Sequence, residues 1–273
     1  MSSTTPSIDL DAYCARIGYA GPRTPTLATL SAIHALHPQA ITFENLDPLL
    51  RRPVKLDPAS LEAKLVKGGR GGWCFEHNTL FKLVLEALGF RVTGLGGRVL
   101  WNRTDNTVPA RSHMVLKLDV KGEIYIADVG FGGMTLTAPL RLEADIEQQT
   151  PHETFRLAHL DGGFRLDAQL RGEWKPVYRF DLAEQFPIDY EVSNHFLLTH
   201  PSSPFLSLLM VARVEPDRRL ALSNSEFAIH HGGGKTDRRR LNRPAEIRRA
   251  LEQEFALTLP DDPGLDAALA RLG

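Results

Sequence analysis

Residues 70–78 read Arg-Gly-Gly-Trp-Cys-Phe-Glu-His-Asn, and they place a cysteine at the boundary between a loop and a helix. The double glycine at 71–72 is typical of a loop. Apolar residues at positions 80, 83, 84, 87 and 88 recur at helical spacing, which predicts an amphipathic helix that begins near Cys74 and ends at Gly89. The thiolate is the reactive form of cysteine, and a helix N-terminus favours negative charge, so Cys74 is a candidate nucleophile.

The chain before Cys74 is predicted to be mostly helical. Aspartate or threonine caps, with proline just inside in two cases, mark the helix starts. The predicted helices run from Asp9 to Gly18, from Thr24-Pro25 to His37-Pro38, and from Asp57-Pro58 to Gly68-Gly69.

From about Arg91 the pattern changes to alternating apolar residues and β-branched side chains, which predicts strands. One predicted hairpin joins strands 115–120 and 123–129 at Lys121-Gly122, and another joins 155–160 and 164–170 around residues 161–163. Short strands joined in sequence by tight turns are typical of an antiparallel sheet or barrel.

The chain after Asp181 is predicted to return to helix and then to mixed structure. A helical stretch includes Leu182, Phe186 and Phe196. Strands are predicted at 206–214 and 220–229, and closing helices at 244–255 and 262–272. These changes of pattern predict three segments, at residues 1–90, 91–200 and 201–273.

Composition excludes several classes of protein. Apolar residues make up 42% of the 273 residues, charged residues make up 24%, and the formal net charge is −1, so neither nucleic acid nor an anionic membrane surface is an expected partner. The first six residues contain no secretory signal pattern. The two cysteines form neither a disulfide framework nor a metal-binding spacing, so we expect no metal and a cytoplasmic location. Cys14 shares a helical apolar face with Leu10 and Ile17, which predicts a core position.

A thiol nucleophile needs a base within hydrogen-bond reach and an acid that orients the base. If Lys121-Gly122 is a two-residue hairpin loop, Val120 faces Glu123 and His113 faces Gly130. Asp128 is then the diagonal neighbour of His113 on the same face of the sheet. The predicted hairpin pairing brings His113 and Asp128 together, so we predict a catalytic site made of Cys74, His113 and Asp128.

Other polar residues have weaker functional interpretations. His77 lies one turn along the helix from Cys74, and a half-exposed helix histidine is the expected role. His230-His231 and the glycines at 232–234 lack the spacing of a phosphate-binding loop and predict a flexible turn. The arginine-rich stretch 237–243 predicts a solvated face, with a phosphate contact as the alternative.

The residues around Cys74, His113 and Asp128 resemble the arylamine N-acetyltransferases. The resemblance rests on residues 70–76, on the spacing to His113, on Asp128-Val129-Gly130-Phe131-Gly132, and on the earlier element Phe43-Glu44-Asn45-Leu46. It extends along most of the chain and includes Pro201-Ser202-Ser203-Pro204-Phe205 near the start of the last segment.

The resemblance implies an α+β fold with an N-terminal helical bundle, a central antiparallel β-barrel and a C-terminal α/β lid, and a Cys-His-Asp arrangement like that of cysteine proteases and transglutaminases. It implies transfer of acetyl from acetyl-coenzyme A, through a thioester on Cys74, to arylamines, arylhydrazines or N-hydroxyarylamines, as in the metabolism of foreign compounds. His113 would be the base and Asp128 the orienting acid.

The resemblance also assigns roles around the nucleophile. Phe43, Phe131 and Phe205 match positions that line an aromatic acceptor pocket. Glu44 and Arg70 match a pair that fixes the loop before the nucleophile. Gly132 and Gly133 would let the pantetheine arm of the coenzyme approach the backbone.

Three alternatives stay open from the sequence. The order Cys, His, Asp also fits transglutaminase-like enzymes and thiol hydrolases. The acyl donor could be another thioester, such as malonyl- or propionyl-coenzyme A. A non-catalytic binding protein could keep the same fold. The sequence assigns no physiological acceptor and no oligomeric state.

Overall fold

The structure is a computed structural model that describes residues 8–105 and 107–272. The first six residues, for which no secretory signal is predicted, lie outside the described residues. Among the residues that are described, every helix is too short or too polar to cross a bilayer.

The chain up to residue 90 is mainly helical, as predicted. Its helices are α1 (Leu10–Ile17), α2 (Leu27–Ala40), α3 (Leu46–Leu49), α4 (Pro58–Leu61), which continues as a π-helical segment (Glu62–Lys67), and α5 (Cys74–Ala87). Asp9 and Asp57 cap α1 and α4 as predicted, with side chains that accept from the amides of Ala12 and Ser60. The predicted limits of the second helix were wrong, because Thr26 is the cap and Pro38 lies inside the last turn, where a proline removes one donor without ending the helix.

The middle of the chain forms an eight-stranded antiparallel sheet that curls into a nearly closed barrel. Its strands are β2 (Arg91–Val99), β3 (Arg111–Val120), β4 (Glu123–Ala127), β5 (Leu140–Arg141), β6 (Glu147–Gln149), β7 (Thr154–Leu160), β8 (Gly163–Leu170) and β9 (Glu173–Glu184), in the order β5-β4-β3-β2-β9-β8-β7-β6. The side chain of Gln148 closes the seam between β6 and β5. Its Oε1 accepts from the Arg141 amide at 2.8 Å and its Nε2 donates to the Arg141 carbonyl at 3.0 Å.

A second antiparallel sheet belongs to the C-terminal part of the chain. It contains β1 (Phe43–Glu44), β10 (Met210–Glu215), β11 (Arg218–Ser223), β12 (Glu226–His231) and β13 (Thr236–Arg240), in the order β1-β10-β11-β12-β13. Helices α7 (Pro244–Gln253) and α8 (Leu265–Ala270) follow it, near the predicted positions. Helix α6 (Pro187–Thr199) and a short 3-10 turn (Pro204–Leu206) connect the barrel to this sheet.

Three predictions in this region were wrong. Leu182 belongs to β9 and not to a helix, because α6 starts only at Pro187, where the Asp189 carboxylate accepts from the Phe186 amide. The single strand predicted at 220–229 is a hairpin that turns at Asn224, which has a positive φ of 52°. The predicted strand 206–214 begins only at Met210, after the 3-10 turn.

Apolar residues form three clusters, and one of them joins the helical region to the outside of β3 and β4. That cluster unites α1, α2 and α5 with residues such as Leu116, Leu118 and Tyr125. A second cluster fills the barrel, and a third lies between the C-terminal sheet, α3, α7 and α8. Cys14 is 3% exposed within the first cluster, so its predicted core position is confirmed. The division at residues 90 and 200 stays a prediction.

Asn45 connects the helical region to the C-terminal part of the chain. Its Nδ2 donates to the carbonyls of Phe205 at 3.0 Å and Leu208 at 2.7 Å, and its Oδ1 accepts from the Met210 amide at 2.7 Å. The side chain is fully buried, so no water replaces these bonds if it is removed.

We therefore expect Asn45→Ala to lower the free energy of unfolding by roughly 3–6 kcal/mol, since three backbone groups lose their partner at about 1–3 kcal/mol each. Urea unfolding monitored by circular dichroism measures the change. Asn242→Ala, at an exposed asparagine, is the control and should change stability by less than about 0.5 kcal/mol. A loss below about 1 kcal/mol for Asn45→Ala would contradict the assigned role.

Candidate active site

Cys74 is the first residue of α5 and is 5% exposed. The first amides of a helix have no acceptor within the helix, so this end carries a partial positive charge. The thiol Sγ lies 3.6 Å from the carbonyl oxygen of Ser112 on β3. The sequence prediction of a cysteine at a helix start is therefore confirmed, and the thiol faces the strand that carries His113.

The two glycines before Cys74 allow the loop to lie against β1. The Gly72 amide donates to the Thr42 carbonyl at 3.3 Å, and the Gly72 carbonyl accepts from the Glu44 amide at 2.8 Å. A Cβ at position 71 would lie 1.9 Å from the Thr42 carbonyl oxygen. Only glycine fits there, so the nucleophile loop is fixed to the strand Phe43–Glu44.

A buried network of charges lies beneath this loop. Arg70 donates to Glu44 Oε1 from Nε at 2.9 Å and from Nη2 at 2.7 Å. Lys64 Nζ lies 2.6 Å from Asp47 and 2.7 Å from Glu76. Glu76 in turn accepts from the amide of Trp73 at 3.1 Å. The pairing of Glu44 with Arg70 agrees with the expectation from the sequence. Lys64, Asp47 and Glu76 were not predicted, because they meet only through tertiary packing.

The charges in this network shift one another's pKa values. Burial by itself lowers the pKa of Lys64, but Glu76, Glu44 and Asp47 outweigh burial and raise it. Burial raises the pKa of Asp47, yet Lys64 and Arg70 bring it below the ordinary value. Burial dominates at Glu76 and raises its pKa, because Lys64 offsets the cost only in part.

His113 and Asp128 are in direct contact. His113 Nε2 lies 2.7 Å from Asp128 Oδ2, and both side chains are buried. The hairpin register used to bring them together is correct from Val120–Glu123 to Leu116–Ala127. The predicted pairing of His113 with Gly130 was wrong, because the ladder ends at Ala127 and His113 lies opposite Gly97 on β2.

Asn78 explains why the chain leaves the ladder there. Its Nδ2 donates to Asp128 Oδ1 and to the Met114 carbonyl, both at 2.8 Å, and its Oδ1 accepts from the Val129 amide at 3.0 Å. The Gly130 amide donates to Asp128 Oδ1 at 3.0 Å. A Cβ on Gly130 would lie 2.9 Å from the backbone of Cys74, so only glycine allows α5 this close. Asn78 was not predicted as part of the site, although its position one turn after Cys74 on the same helix pointed to it.

The His113–Asp128 pair favours the charged form of each partner. Burial by itself lowers the pKa of His113, but the charge of Asp128 and hydrogen bonds to Asp128 and Cys74 outweigh burial and raise it. Burial raises the pKa of Asp128, but His113, Asn78 and the Gly130 amide bring it below its usual range. The pair therefore stabilises an imidazolium form of His113 next to the Cys74 side chain.

A chain of buried polar side chains lies on the other side of α5. His77 is fully buried, so the prediction of a half-exposed histidine was wrong. Its Nε2 lies 3.3 Å from the Thr42 carbonyl, which can only accept, so Nδ1 of His77 accepts from His37 Nε2 at 2.9 Å. Tyr13 then donates to His37 Nδ1 at 2.8 Å. His77 was misjudged because α2, which covers it, lies far away in sequence.

The three phenylalanines assigned to the acceptor pocket contact the aromatic rings of Trp73, His77 and His113. Phe131 meets the His113 ring edge-on, with ring centroids 5.1 Å apart. Phe43 stacks on the far side of the loop against His77, at 6.3 Å between centroids. Phe205 contacts Trp73, the neighbour of Cys74, at 5.2 Å between centroids. All three side chains are partly buried.

Gly132 and Gly133 lie in the loop after Asp128. Gly132 has a positive φ of 82°, and a Cβ there would lie 3.2 Å from the Phe43 ring. Around Gly133 a Cβ would meet no atom within 4 Å. The loop therefore approaches the aromatic ring closely at one glycine and leaves space at the other.

Most of the arginine-rich stretch belongs to a strand, and residues 237–240 are exposed, as the predicted solvated face requires. Residues 236–240 form β13 at the edge of the C-terminal sheet, and the residues predicted as a flexible turn divide between β12 and the turn that follows. Arg239 pairs with Glu254 at 2.9 Å, and Arg243 pairs with Glu246 at 2.7 Å. Charged side chains are typical of a sheet edge because they discourage pairing with other strands. Within the described residues, no three His, Cys, Asp or Glu side chains are grouped so that they could hold a metal ion.

Comparison with known proteins identifies the family. The model of a family described as N-acetyltransferase matches residues 26–263. The arylamine N-acetyltransferase of Mycolicibacterium smegmatis is 46% identical over 264 residues, which cover 95% of this chain and 96% of that protein. The chain belongs to the arylamine N-acetyltransferase family. The arylamine N-acetyltransferase of Escherichia coli K12 is 40% identical over 253 residues, 92% of this chain and 90% of that protein.

Solved structures of the arylamine N-acetyltransferase family share the fold. The enzyme from M. tuberculosis superposes with a TM-score of 0.93 at 40% identity, covering 96% of this chain and 100% of that one. The Mycobacterium marinum enzyme in complex with CoA gives 0.93 at 42% identity, covering 97% and 99%. The predicted α+β fold is confirmed, and the chain is an acetyltransferase of this family.

The buried histidines make stability depend on pH. Burial lowers the pKa of His34 and of His77 to about 4, from an ordinary value of 6.5. Between these values the unfolded chain binds protons that the folded chain does not, so the free energy of unfolding falls as pH drops from 6.5 to 4. His113 acts in the opposite sense, because its raised pKa contributes stability that is complete below 6.5 and is lost only at higher pH.

We expect a loss on the order of 3 kcal/mol for each of these two neutral histidines across that range. Urea unfolding at pH 4.5, 5.5 and 7 measures it. His77→Gln should make the profile shallower but not flat, because glutamine does not titrate while His34 still does. His195→Gln, at an exposed helix position, should leave the profile unchanged. Equal slopes for His77→Gln and the unmodified protein would refute the assignment.

Proposed function

We propose that this chain transfers an acetyl group from acetyl-coenzyme A, through a thioester on Cys74, to the nitrogen of arylamines, arylhydrazines or N-hydroxyarylamines. The observation that carries the proposal is the 2.7 Å bond between His113 Nε2 and Asp128, beside a thiol whose Sγ lies 3.6 Å from the carbonyl oxygen of the neighbouring Ser112. The sequence relatives support the chemistry, since they are named for acetylation of arylamines.

The first step forms the acetyl-enzyme. His113 takes the thiol proton, and Asp128 stabilises the resulting imidazolium. The Cys74 thiolate attacks the carbonyl carbon of the donor thioester, and the backbone amide of Cys74 at the start of α5 is a donor for the oxyanion. The intermediate collapses as the bond from carbon to coenzyme sulfur breaks, and His113 returns its proton to the leaving thiolate.

The second step uses the same groups in reverse. The acceptor nitrogen attacks the Cys74 thioester, His113 accepts the proton that the nitrogen loses, and Cys74 leaves as a thiolate beside the imidazolium. Exchange of one thioester for another is nearly balanced in energy, so the acetyl group stays reactive on the enzyme. Two easier transfers then replace one difficult transfer.

The walls of the site suit a flat acceptor. Phe131 is edge-on to His113, and Phe43 and Phe205 flank the nucleophile loop, so we assign all three to the acceptor pocket. We assign the open space at Gly133, and the close approach at Gly132, to the pantetheine arm. Glu44 and Arg70 keep the loop in position and do not touch the substrate.

We place the reaction in the cytoplasm, in the metabolism of foreign aromatic amines. Both cysteines are free thiols, as a reducing compartment favours. Coenzyme A and a small aromatic acceptor are the expected partners. The three segments 1–90, 91–200 and 201–273 would then supply the nucleophile, its base and acid, and the lid.

The acetyl-enzyme can be trapped directly. Incubation with acetyl-coenzyme A and no acceptor should add one acetyl mass to the intact protein, and hydroxylamine should remove it because thioesters are labile to it. Cys74→Ala should abolish the adduct, whereas Cys14→Ala, at the only other cysteine, should keep it. An adduct that persists in Cys74→Ala would refute the assigned nucleophile.

The role of Asp128 can be tested through the reactivity of the thiol. We expect Asp128→Asn to slow iodoacetamide labelling of Cys74 at pH 7 by about 10–100-fold, because the neutral amide no longer stabilises the imidazolium beside the thiolate. Peptide mapping separates Cys74 from Cys14. The control is Asp266→Asn on the exposed side of α8, and unchanged labelling in Asp128→Asn would contradict the proposed arrangement.

A further inference from the structure

Four arginines lie side by side on four neighbouring strands of the barrel. Arg111 on β3 is directly opposite Arg98 on β2, Arg98 is opposite Arg179 on β9, and Arg179 is opposite Arg165 on β8. We call these four residues the arginine row. Directly paired residues point to the same face of a sheet, and like charges in such pairs are destabilising. The row therefore has an electrostatic cost that needs an explanation.

The row lies on the outer face of the barrel. Leu166 and Tyr178, which precede or follow the row residues on β8 and β9, belong to the cluster that fills the barrel. Side chains alternate between the two faces of a strand, so Arg165 and Arg179 point outward. Arg111 lies two residues before His113 and next to Ser112, whose carbonyl contacts the thiol. The row thus starts beside the proposed reaction centre and extends away from it.

The carboxylates nearby neutralise only part of the row. Arg165 binds Asp167 through Nε at 2.6 Å, and Arg111 pairs with Asp181. Within residues 8–105 and 107–272, neither Arg98 nor Arg179 has a carboxylate within ion-pair distance. Arg98 instead donates to the Pro109 carbonyl at 2.6 Å. Burial is the main cause that lowers the pKa of Arg98; the charges of Arg111 and Arg179 lower it further, and Asp181 opposes them.

The row borders a small cleft and not a flat surface. The cleft has a volume of about 80 Å³ and is lined by Gly96, the turn 160–164, Arg98, Arg111, Arg179 and Asp181. Asp161 is the second carboxylate in its lining, so three guanidinium groups face two carboxylates. A single water needs on the order of 10–15 Å³ by this type of measure, so a group the size of phosphate fits. A Cβ at Gly96 would lie 3.3 Å from the Arg111 side chain, so glycine keeps the floor of the cleft open.

We propose that the three members of the arginine row that line this cleft, Arg98, Arg111 and Arg179, bind a phosphate group there. Guanidinium groups bind phosphate oxygens in pairs of parallel hydrogen bonds. Arg179 can make such a pair, and so can the donors of Arg98 other than the Nη1 that binds the Pro109 carbonyl. Two sources share this chemistry. One is a phosphate of the coenzyme donor, which rests on the proposed function, and the other is a separate phosphorylated molecule.

Pyrophosphate binding, measured by titration calorimetry at low ionic strength, tests the site without any need for acetyl transfer. We expect Arg98→Gln/Arg179→Gln to weaken binding at least tenfold and Asp161→Asn to strengthen it. The control is Arg249→Gln, at an exposed arginine of α7 outside the row, which should bind like the unmodified protein. Equal pyrophosphate affinity in the double variant and the unmodified protein would overturn the proposal, and so would failure of the unmodified protein to bind. If the double variant fails to fold, pyrophosphate binding is measured with Arg179→Gln alone. Arg179 is exposed, so its replacement should not prevent folding.

A second measurement separates the two sources. S-acetylpantetheine carries the same thioester as acetyl-coenzyme A but no phosphate. If the coenzyme is the source, KM for acetyl-coenzyme A should rise about tenfold in the double variant relative to KM for S-acetylpantetheine. If pyrophosphate affinity falls while this ratio stays constant, the ligand is a separate phosphorylated molecule. If the protein transfers no acetyl group, the proposed function is wrong. Pyrophosphate binding then remains the test of the phosphate site.

Discussion

The rest of the site depends on the hydrogen bonds that the Asp128 carboxylate accepts. This carboxylate accepts from His113, Asn78 and Gly130, which belong to β3, α5 and the loop after β4. A buried carboxylate without such partners would take up a proton or destabilise the fold. The three elements must therefore dock before Asp128 can carry its charge, and the charge in turn sets the protonation of His113.

The nucleophile is held by a second set of constraints on the other side of α5. The loop packs so closely against the Thr42 carbonyl that position 71 has no space for a side chain. The buried ion pairs of Arg70 with Glu44 and of Lys64 with Glu76 hold the loop in this position. Breaking such a buried pair leaves an uncompensated charge, which costs far more than the pair contributes. The position of the thiol is thus set by groups that do not touch it.

The sequence was sufficient wherever the determining contacts are local. The Lys121-Gly122 turn fixed the register that brought His113 near Asp128, and Asp9 and Asp57 marked their helix starts. The predictions from sequence failed where the structure depends on contacts with an element distant in the chain or where a strand lacks an apolar pattern. His77 is buried by α2, the ladder beyond Ala127 is interrupted by Asn78, and β13 has no apolar face to mark it as a strand.

The short strand Phe43–Glu44 has a consequence for the order in which the protein can fold. Phe43 pairs with Ala212, and Asn45 binds the Met210 amide. The strand that holds the loop before Cys74 is therefore itself held by residues that come much later in the chain. Contacts between distant parts of a chain form slowly, because loop closure must come first. During synthesis on the ribosome, the helices and much of the barrel emerge before these partners exist. The thiol therefore reaches its final setting only when most of the polypeptide has been made.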